Sequence, residues 1–269
     1  MTLGTIPGRV AQRDGWTRCA ALLGALGFTL ATVPTAQADP AGLGRDWNWV
    51  VAPYLWAAGL SGREAVVGNL PPVDIDLSFG EIWDNLDFAG MVAMRGYSGR
   101  FGVSGDLQYI KVSAGQATAG PNFSDVSVDS TTTIATLAAD YQLAQTGKAE
   151  LWATGGLRYW KVQTDIALGS GVQPAVGASG SDSWVDPVIG LRGRTSIGAR
   201  TFLTGWAYVG GFGVGSDEMY DVFGGLGYTF SDRVSAVMGY RWLSVDRVDG
   251  AFIYDTVQQG ILTGVTFRF

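Results

Sequence analysis

The side chains able to do chemistry in this chain are arginines and carboxylates, because it has no histidine and a single cysteine, Cys19. Without imidazole, Ser-His-Asp and Cys-His catalysis and histidine-bound metal are excluded. One cysteine excludes an intrachain disulfide and a zinc finger. What remains is a set of charges of both signs carried on alternating stretches: Arg95, Asp106, Asp140, Arg158, Asp186, Arg192, Arg194, Asp221 and Arg241. Opposed rows of Arg and Asp can set a field across a small pore. The same residues can instead form a salt-bridged polar filling, since an unpaired buried charge is expensive. A carboxylate-dependent hydrolase using Asp106 and Asp140 is the least supported option, because any protein with interior acids raises it.

Two further stretches invite a ligand and have plainer readings. Gly210 to Asp217 is rich in glycine and could form an anion nest. No Walker spacing follows it, so a tight turn is the simpler account. Asp74, Asp76, Glu81, Asp84 and Asp87 could offer oxygen ligands to Ca²⁺ or Mg²⁺. Their spacing is not that of a calcium loop, and a solvated loop accounts for them. The reading therefore includes no enzyme activity, no catalytic residue, no cofactor and no metal. A net charge of −6, from 18 Lys+Arg against 24 Asp+Glu, argues against nucleic acid as a partner.

The elements that must position these charges are strands. Apolar and polar or small residues alternate with period two in segment after segment. Ile261, Thr263, Val265, Phe267 and Phe269 oppose Gln258, Gly260, Leu262, Gly264, Thr266 and Arg268. Tyr220, Val222, Leu226, Tyr228 and Phe230 oppose Asp221, Gly225, Gly227 and Thr229. Phe101, Val103, Leu107 and Tyr109 oppose Gly102, Ser104, Asp106 and Gln108. One face is apolar with aromatics near the strand ends, and the other is small, polar and sparsely charged. That suits an antiparallel transmembrane β-barrel with a lipid face, aromatic girdles and a polar interior. Closure also satisfies every backbone group in the bilayer. The alternation places the nine charges named above inside, with Arg95 the least regular member. Trp47, Trp49, Trp160, Trp184, Trp206 and Trp242 are assigned to the interfacial belts.

The strands are drawn at 46–60, 87–98, 101–113, 126–144, 149–166, 183–197, 200–212, 218–230, 233–246 and 251–269. That makes a barrel of about ten strands, with short periplasmic turns, longer external loops and both termini in the periplasm. Residues 61–86 are read as a structured excursion that folds over the mouth or tucks inside. If 72–79 is instead a full barrel strand, parity requires about twelve.

Residues 1–38 read as a secretory signal peptide. Arg9, Arg13 and Arg18 precede an apolar stretch from Cys19 to Val33, and Ala36-Gln37-Ala38 fits a cleavage site. The barrel then occupies 39–269. The final Phe269, with Phe267 and Val265 on its face, looks like the terminal signal that outer-membrane barrels present to their assembly machinery.

Several motifs complete the picture: Pro53-Tyr54-Leu55-Trp56 with Gly59-Leu60-Ser61-Gly62, Asn85-Leu86-Asp87, Trp184-Val185-Asp186-Pro187 with Gly190 and Arg192, Gly210 to Asp217, Gly239-Tyr240-Arg241, Tyr254-Asp255 and Phe267-Arg268-Phe269. Together the chain resembles a family of uncharacterised Gram-negative outer-membrane β-barrel proteins. The resemblance implies a bacterial outer-membrane location and a barrel architecture, and brings no substrate or catalytic residues. The expected function is a monomeric barrel, structural or giving small solutes narrow passage through a charged lumen. The alternative is a surface-binding barrel acting through external loops 61–86 and 167–182. Expected partners are outer-membrane lipid, lipopolysaccharide and the barrel assembly machinery.

Overall fold

The computed structural model describes residues 47–66, 72–118 and 121–269. The signal-peptide reading of 1–38 lies outside them. The strands are β1 (Asn48–Ala65), β2 (Val73–Leu77), β3 (Leu86–Ser98), β4 (Phe101–Ala117), β5 (Phe123–Gln145), β6 (Ala149–Ser170), β7 (Val176–Ser196), β8 (Thr201–Gly211), β9 (Glu218–Thr229), β10 (Val234–Asp249) and β11 (Phe252–Arg268), with one helix, α1 (Phe79–Asp84). Each strand from β3 to β11 pairs antiparallel with the next, and β11 returns to β1, from Val50↔Arg268 to Ala65↔Ile253. β2 pairs only with β1, so the closed ring holds ten strands. The barrel is all-β, and every strand of the ring has a hydrogen-bonded neighbour on both sides over at least part of its length.

Alternation decides which face is lipid. Leu137, Leu157, Ile189, Leu226, Met238 and Ile261 are all more than half exposed on the outer surface. A soluble protein rarely exposes so continuous an apolar band. Among the described residues no helix is long and apolar enough to cross a membrane; the crossing is made by strands.

The two ends differ. At the end carrying the described chain terminus, the connections are short: Gly99-Arg100, 146–148, 197–200 and 230–233. Gly99 takes φ 56°, which its missing Cβ makes cheap in a two-residue turn. By the rule that such barrels keep short turns in the periplasm, this is the periplasmic end. At the other end β5, β6 and β7 run for 23, 22 and 21 residues. About 9–11 residues span a bilayer, so these strands stand well above it.

That height corrects the assignment of 167–182 to an external loop. β6 continues to Ser170 and β7 begins at Val176, with Leu168 opposite Val176, which leaves only 171–175 as connection. Above the membrane neither face must be apolar, so the sequence loses its alternation while the hydrogen-bonded ladder continues. The excursion after β1 neither covers the mouth nor enters the lumen in its described part. β1 pairs with β3 only over Asn48–Pro53, then splays from it and takes β2 as partner from Leu60↔Leu77 to Glu64↔Val73. α1 leads back to β3. Its capping box, in which Ser78 Oγ and the Glu81 carboxylate satisfy each other's backbone N–H, fixes where it starts.

Candidate functional site

The lumen is the site, and it is layered along the barrel axis. Counting from the periplasmic turns, the first layer holds Arg194, its guanidinium 3.4 Å above the Phe202 ring. Phe202 is almost fully buried because Gly227 faces it, where any side chain would overlap the ring. Arg268 lies at the same end, beside the C-terminus, and is exposed. Among the described ion pairs neither arginine has a carboxylate partner.

The second layer centres on Asp140. It pairs with Arg95 at 3.2 Å and Arg192 at 3.5 Å, and accepts from Thr154 Oγ1 at 2.6 Å. Arg95 also stacks over Trp152 at 4.1 Å. The third layer centres on Asp221. Its carboxylate meets Arg158 Nη2 at 2.7 Å, Arg241 Nη2 at 2.8 Å and Arg241 Nε at 3.0 Å, and accepts from Trp206 Nε1 at 2.9 Å. The two-pronged grip of Arg241 is the geometry that favours Arg over Lys. Asp106 lies apart, accepting from Tyr54 Oη and Gln108 Nε2, both at 2.8 Å.

Above Asp221 the lumen turns mainly apolar, with Gln108 and Thr256 buried in the same layer. Ile134, Trp160, Val162, Met219, Leu243 and Val245 are no more than 1% exposed. Trp160 and Trp184 stack with centroids 5.7 Å apart and planes 9° apart. At the outer end the turn after β8 folds inward. Gly211, Phe212 and Gly213 all take positive φ, at 84°, 52° and 72°, which swings Ser216 inward. There Ser216 donates N–H and Oγ to Asp186 at 2.6 and 2.8 Å, and accepts from Trp184 Nε1 at 2.8 Å. Arg247 locks the same turn, binding the Gly215 carbonyl at 2.5 Å and Asp182 at 2.7 Å.

The nine sequence-named charges thus separate into groups. Arg95, Asp140 and Arg192 form one cluster, and Arg158, Asp221 and Arg241 another. Asp106 and Arg194 sit singly, and Asp186 anchors a turn with no arginine in its ion pairs. Arg158 faces Asp186 in the β6–β7 register yet reaches Asp221 on β9. Asp140 lies opposite Gly102 in the β4–β5 ladder, four residues along the strand from Asp106, and each acid has its own hydrogen-bond partners. Asp74 and Asp76 are exposed on β2 and Asp87 pairs with Lys111 at 3.2 Å; the described residues contain no cluster that could hold a metal ion.

Three tryptophans assigned to the membrane belts are interior. Trp160 is 0% and Trp184 5% exposed, and Trp206 packs on Phe223 at 4.4 Å. Trp160 shares the parity of Arg158 on β6 and Trp184 that of Asp186 on β7, so the strand count already placed these two inside. Arg247 was missed although it has the parity of Arg241. Tyr54, Trp56 and Gln108 were missed for lack of charge.

A cavity of about 270 Å³ occupies the periplasmic half of the lumen. It runs from Asp221 and Arg158 at mid-depth to Thr266 and Arg268 at the mouth.

This architecture defines a class, the bacterial outer-membrane β-barrels, and the chain is one of them. No protein-family model matches it, and no curated protein matches it. Among solved structures it is similar to the outer membrane protease OmpT from Escherichia coli, with a TM-score of 0.52 and 10% identity over 82% of this chain and 97% of that one. It is also similar to the translocator domain of the autotransporter NalP from Neisseria meningitidis (TM-score 0.40, 13% identity, 82% and 88% coverage). Ail, the attachment invasion locus protein of Yersinia pestis, follows with TM-score 0.33, 10% identity and coverages of 83% and 98%. At such identities the likeness concerns the fold alone.

Proposed function

We propose that this protein is a non-catalytic, closed outer-membrane barrel whose lumen charges form a structural network rather than a conducting constriction. The observation that carries this reading is the layer above Asp221, where Trp160, Met219, Leu243 and their neighbours are packed almost entirely out of contact with solvent. A charged lumen passes solutes only if it is continuous, and this one is interrupted by packed side chains. The inward turn held by Ser216 and Arg247 adds a second closure at the outer mouth.

The C-terminal strand supports a role for the barrel assembly machinery as partner. Phe269 is 76% exposed, with Phe267 and Val265 on the same outer face. Lipid and lipopolysaccharide are the remaining proposed partners, touching the apolar band and the outer rim.

The test is planar-bilayer conductance of the refolded protein. Wild type is expected to be silent, and Trp160→Ala with Trp184→Ala is expected to give discrete steps by emptying the plug. Discrete wild-type steps whose ion selectivity changes with Arg192→Ala and Arg241→Ala would overturn the closed reading and restore the narrow channel.

A further inference from the structure

The cavity below the Asp221 layer is more cationic than its surroundings. It is lined by Arg95, Arg158, Arg192, Arg194, Arg241 and Arg268, against the acids Asp106, Glu150 and Asp221. Asp140 adds a fourth acid behind Arg95 and Arg192. This excess sits in a chain whose net charge is −6. Asp221 and Asp140 each hold two arginines, whereas Asp106 and Glu150 accept only from the neutral donors Tyr54, Gln108 and Trp152 and keep their charge, Glu150 lying opposite Arg194 in the β6–β7 ladder. Six arginines against four acids still leave the cavity cationic, and Arg194 and Arg268 are the two arginines outside the Asp140 and Asp221 clusters.

The rim reinforces that sign. Each of the four short periplasmic turns carries one cation, Arg100, Lys148, Arg200 or Arg233, and Asp232 is their one acid. A concave site whose rim carries an excess of one sign concentrates counter-ions and speeds their entry. Within, guanidiniums alternate with ring faces: Arg194 on Phe202, Arg95 on Trp152, and Arg241 on Trp56 and Trp206. A guanidinium fork fits a carboxylate, and the neighbouring rings fit a flat apolar body. The volume lies near the lower end of the usual small-molecule range of about 300–1,000 Å³.

We infer that the periplasmic half of the lumen is a binding site for small planar organic anions, a carboxylate on an aromatic body, received by Arg194 and Arg268 and lined by Trp152, Phe202 and Trp206. The site rests on the closed reading of the lumen only in being a dead end. Access is from the periplasm, and the apolar plug forms its floor.

Benzoate is the probe. The refolded full-length barrel is titrated with benzoate by calorimetry, with empty micelles as blank. Parallel titrations use benzamidinium (same ring, opposite charge) and acetate (same charge, no ring). Saturable benzoate binding is expected, weakened about tenfold in both Arg194→Ala and Arg268→Gln, with acetate and benzamidinium far weaker. Neither arginine belongs to the Asp140 or Asp221 clusters, and retained heat-modifiable mobility identifies folded variants. The inference is overturned by benzoate heats equal to the blank, by unchanged affinity in the folded variants, or by benzamidinium or acetate binding as well as benzoate. Bilayer conductance reports separately on the plug, so a conducting barrel that fails to bind and a silent barrel that fails to bind are told apart.

Discussion

Removing the Asp221 carboxylate should be among the costliest single changes in the barrel. Asp221 is 0% exposed, and both arginines that grip it are 2% exposed. Asp221→Ala would strand two guanidiniums at mid-lumen and leave the Trp206 N–H without its acceptor. Breaking one buried pair costs about 3–5 kcal/mol, so two stranded cations put this variant near the top of that range. Asp140→Ala is the internal control. It also holds two arginines, but their side chains are 17% and 25% exposed beside the cavity, where water can replace the lost carboxylate. Its cost should be about 1–3 kcal/mol. The assay is equilibrium urea unfolding in phospholipid vesicles, followed by tryptophan fluorescence at neutral pH. Asp221→Ala should lose at least about 2 kcal/mol more than Asp140→Ala. The triple variant Arg158→Met, Asp221→Leu, Arg241→Met should recover most of that loss, because apolar replacement of a whole buried ion cluster is often neutral or better. Equal losses in the two single variants, or a triple variant as unstable as Asp221→Ala, would refute the idea that stranded cations set the cost.

Two further outcomes are expected. Leu137→Arg, on a side chain 72% exposed on the outer face of β5, should cost about 2–4 kcal/mol in vesicles, whereas Ser127→Arg, higher on the same strand above the bilayer, should cost about 0–1; equal costs would misplace the membrane band. The hydrogen bonds from Ser78 hold the Glu81 carboxyl below its usual 4.5, so its contribution to α1 is complete above that value and is lost as pH falls through the lowered one; the protection factor of the Ile82 amide, corrected for the intrinsic pH dependence of exchange, should fall on acidification in wild type and be low at all pH in Ser78→Ala.

Parity made the barrel legible and also marks where legibility ends. Period-two alternation put Asp106, Asp221 and Arg241 on the inner face because side chains in a strand alternate strictly. The same rule applied to Trp160 and Trp184 places them inside. The general preference of tryptophan for interfaces was allowed to outweigh it, and the structure sides with parity. Which arginine meets which aspartate was beyond the pattern. Arg158 lies opposite Asp186 in the ladder, but stagger around a closed barrel and a long flexible side chain bring it to Asp221 instead. Asp186 was in turn taken by Ser216, delivered by a turn whose three consecutive positive-φ residues the glycines only hinted at. The strand extensions at 167–170 and 176–182 were invisible for a different reason. Above the bilayer no face is obliged to be apolar, so the signal used to find strands is absent there.

The order of the lumen layers follows one physical rule, that a charge needs more protein partners as it loses water. At the mouth, where water is freely present, Arg194 and Arg268 stand without carboxylates. One layer in, Arg95 and Arg192, 17% and 25% exposed, share a single acid. At mid-depth, where exposure falls to 2% or less, Arg158 and Arg241 are bound through several short hydrogen bonds to Asp221. Beyond that depth even full pairing is a poor bargain against packing, and the lumen fills with Trp160, Ile134 and Leu243. In the closed reading proposed above, the gradient runs from one end only, because the Ser216 turn and the packed layer keep water from entering at the other. A barrel built to conduct would solvate its charges from both mouths and keep them unpaired along a continuous path. Here pairing tightens toward a dry floor, which is the arrangement of a pocket that opens to one side.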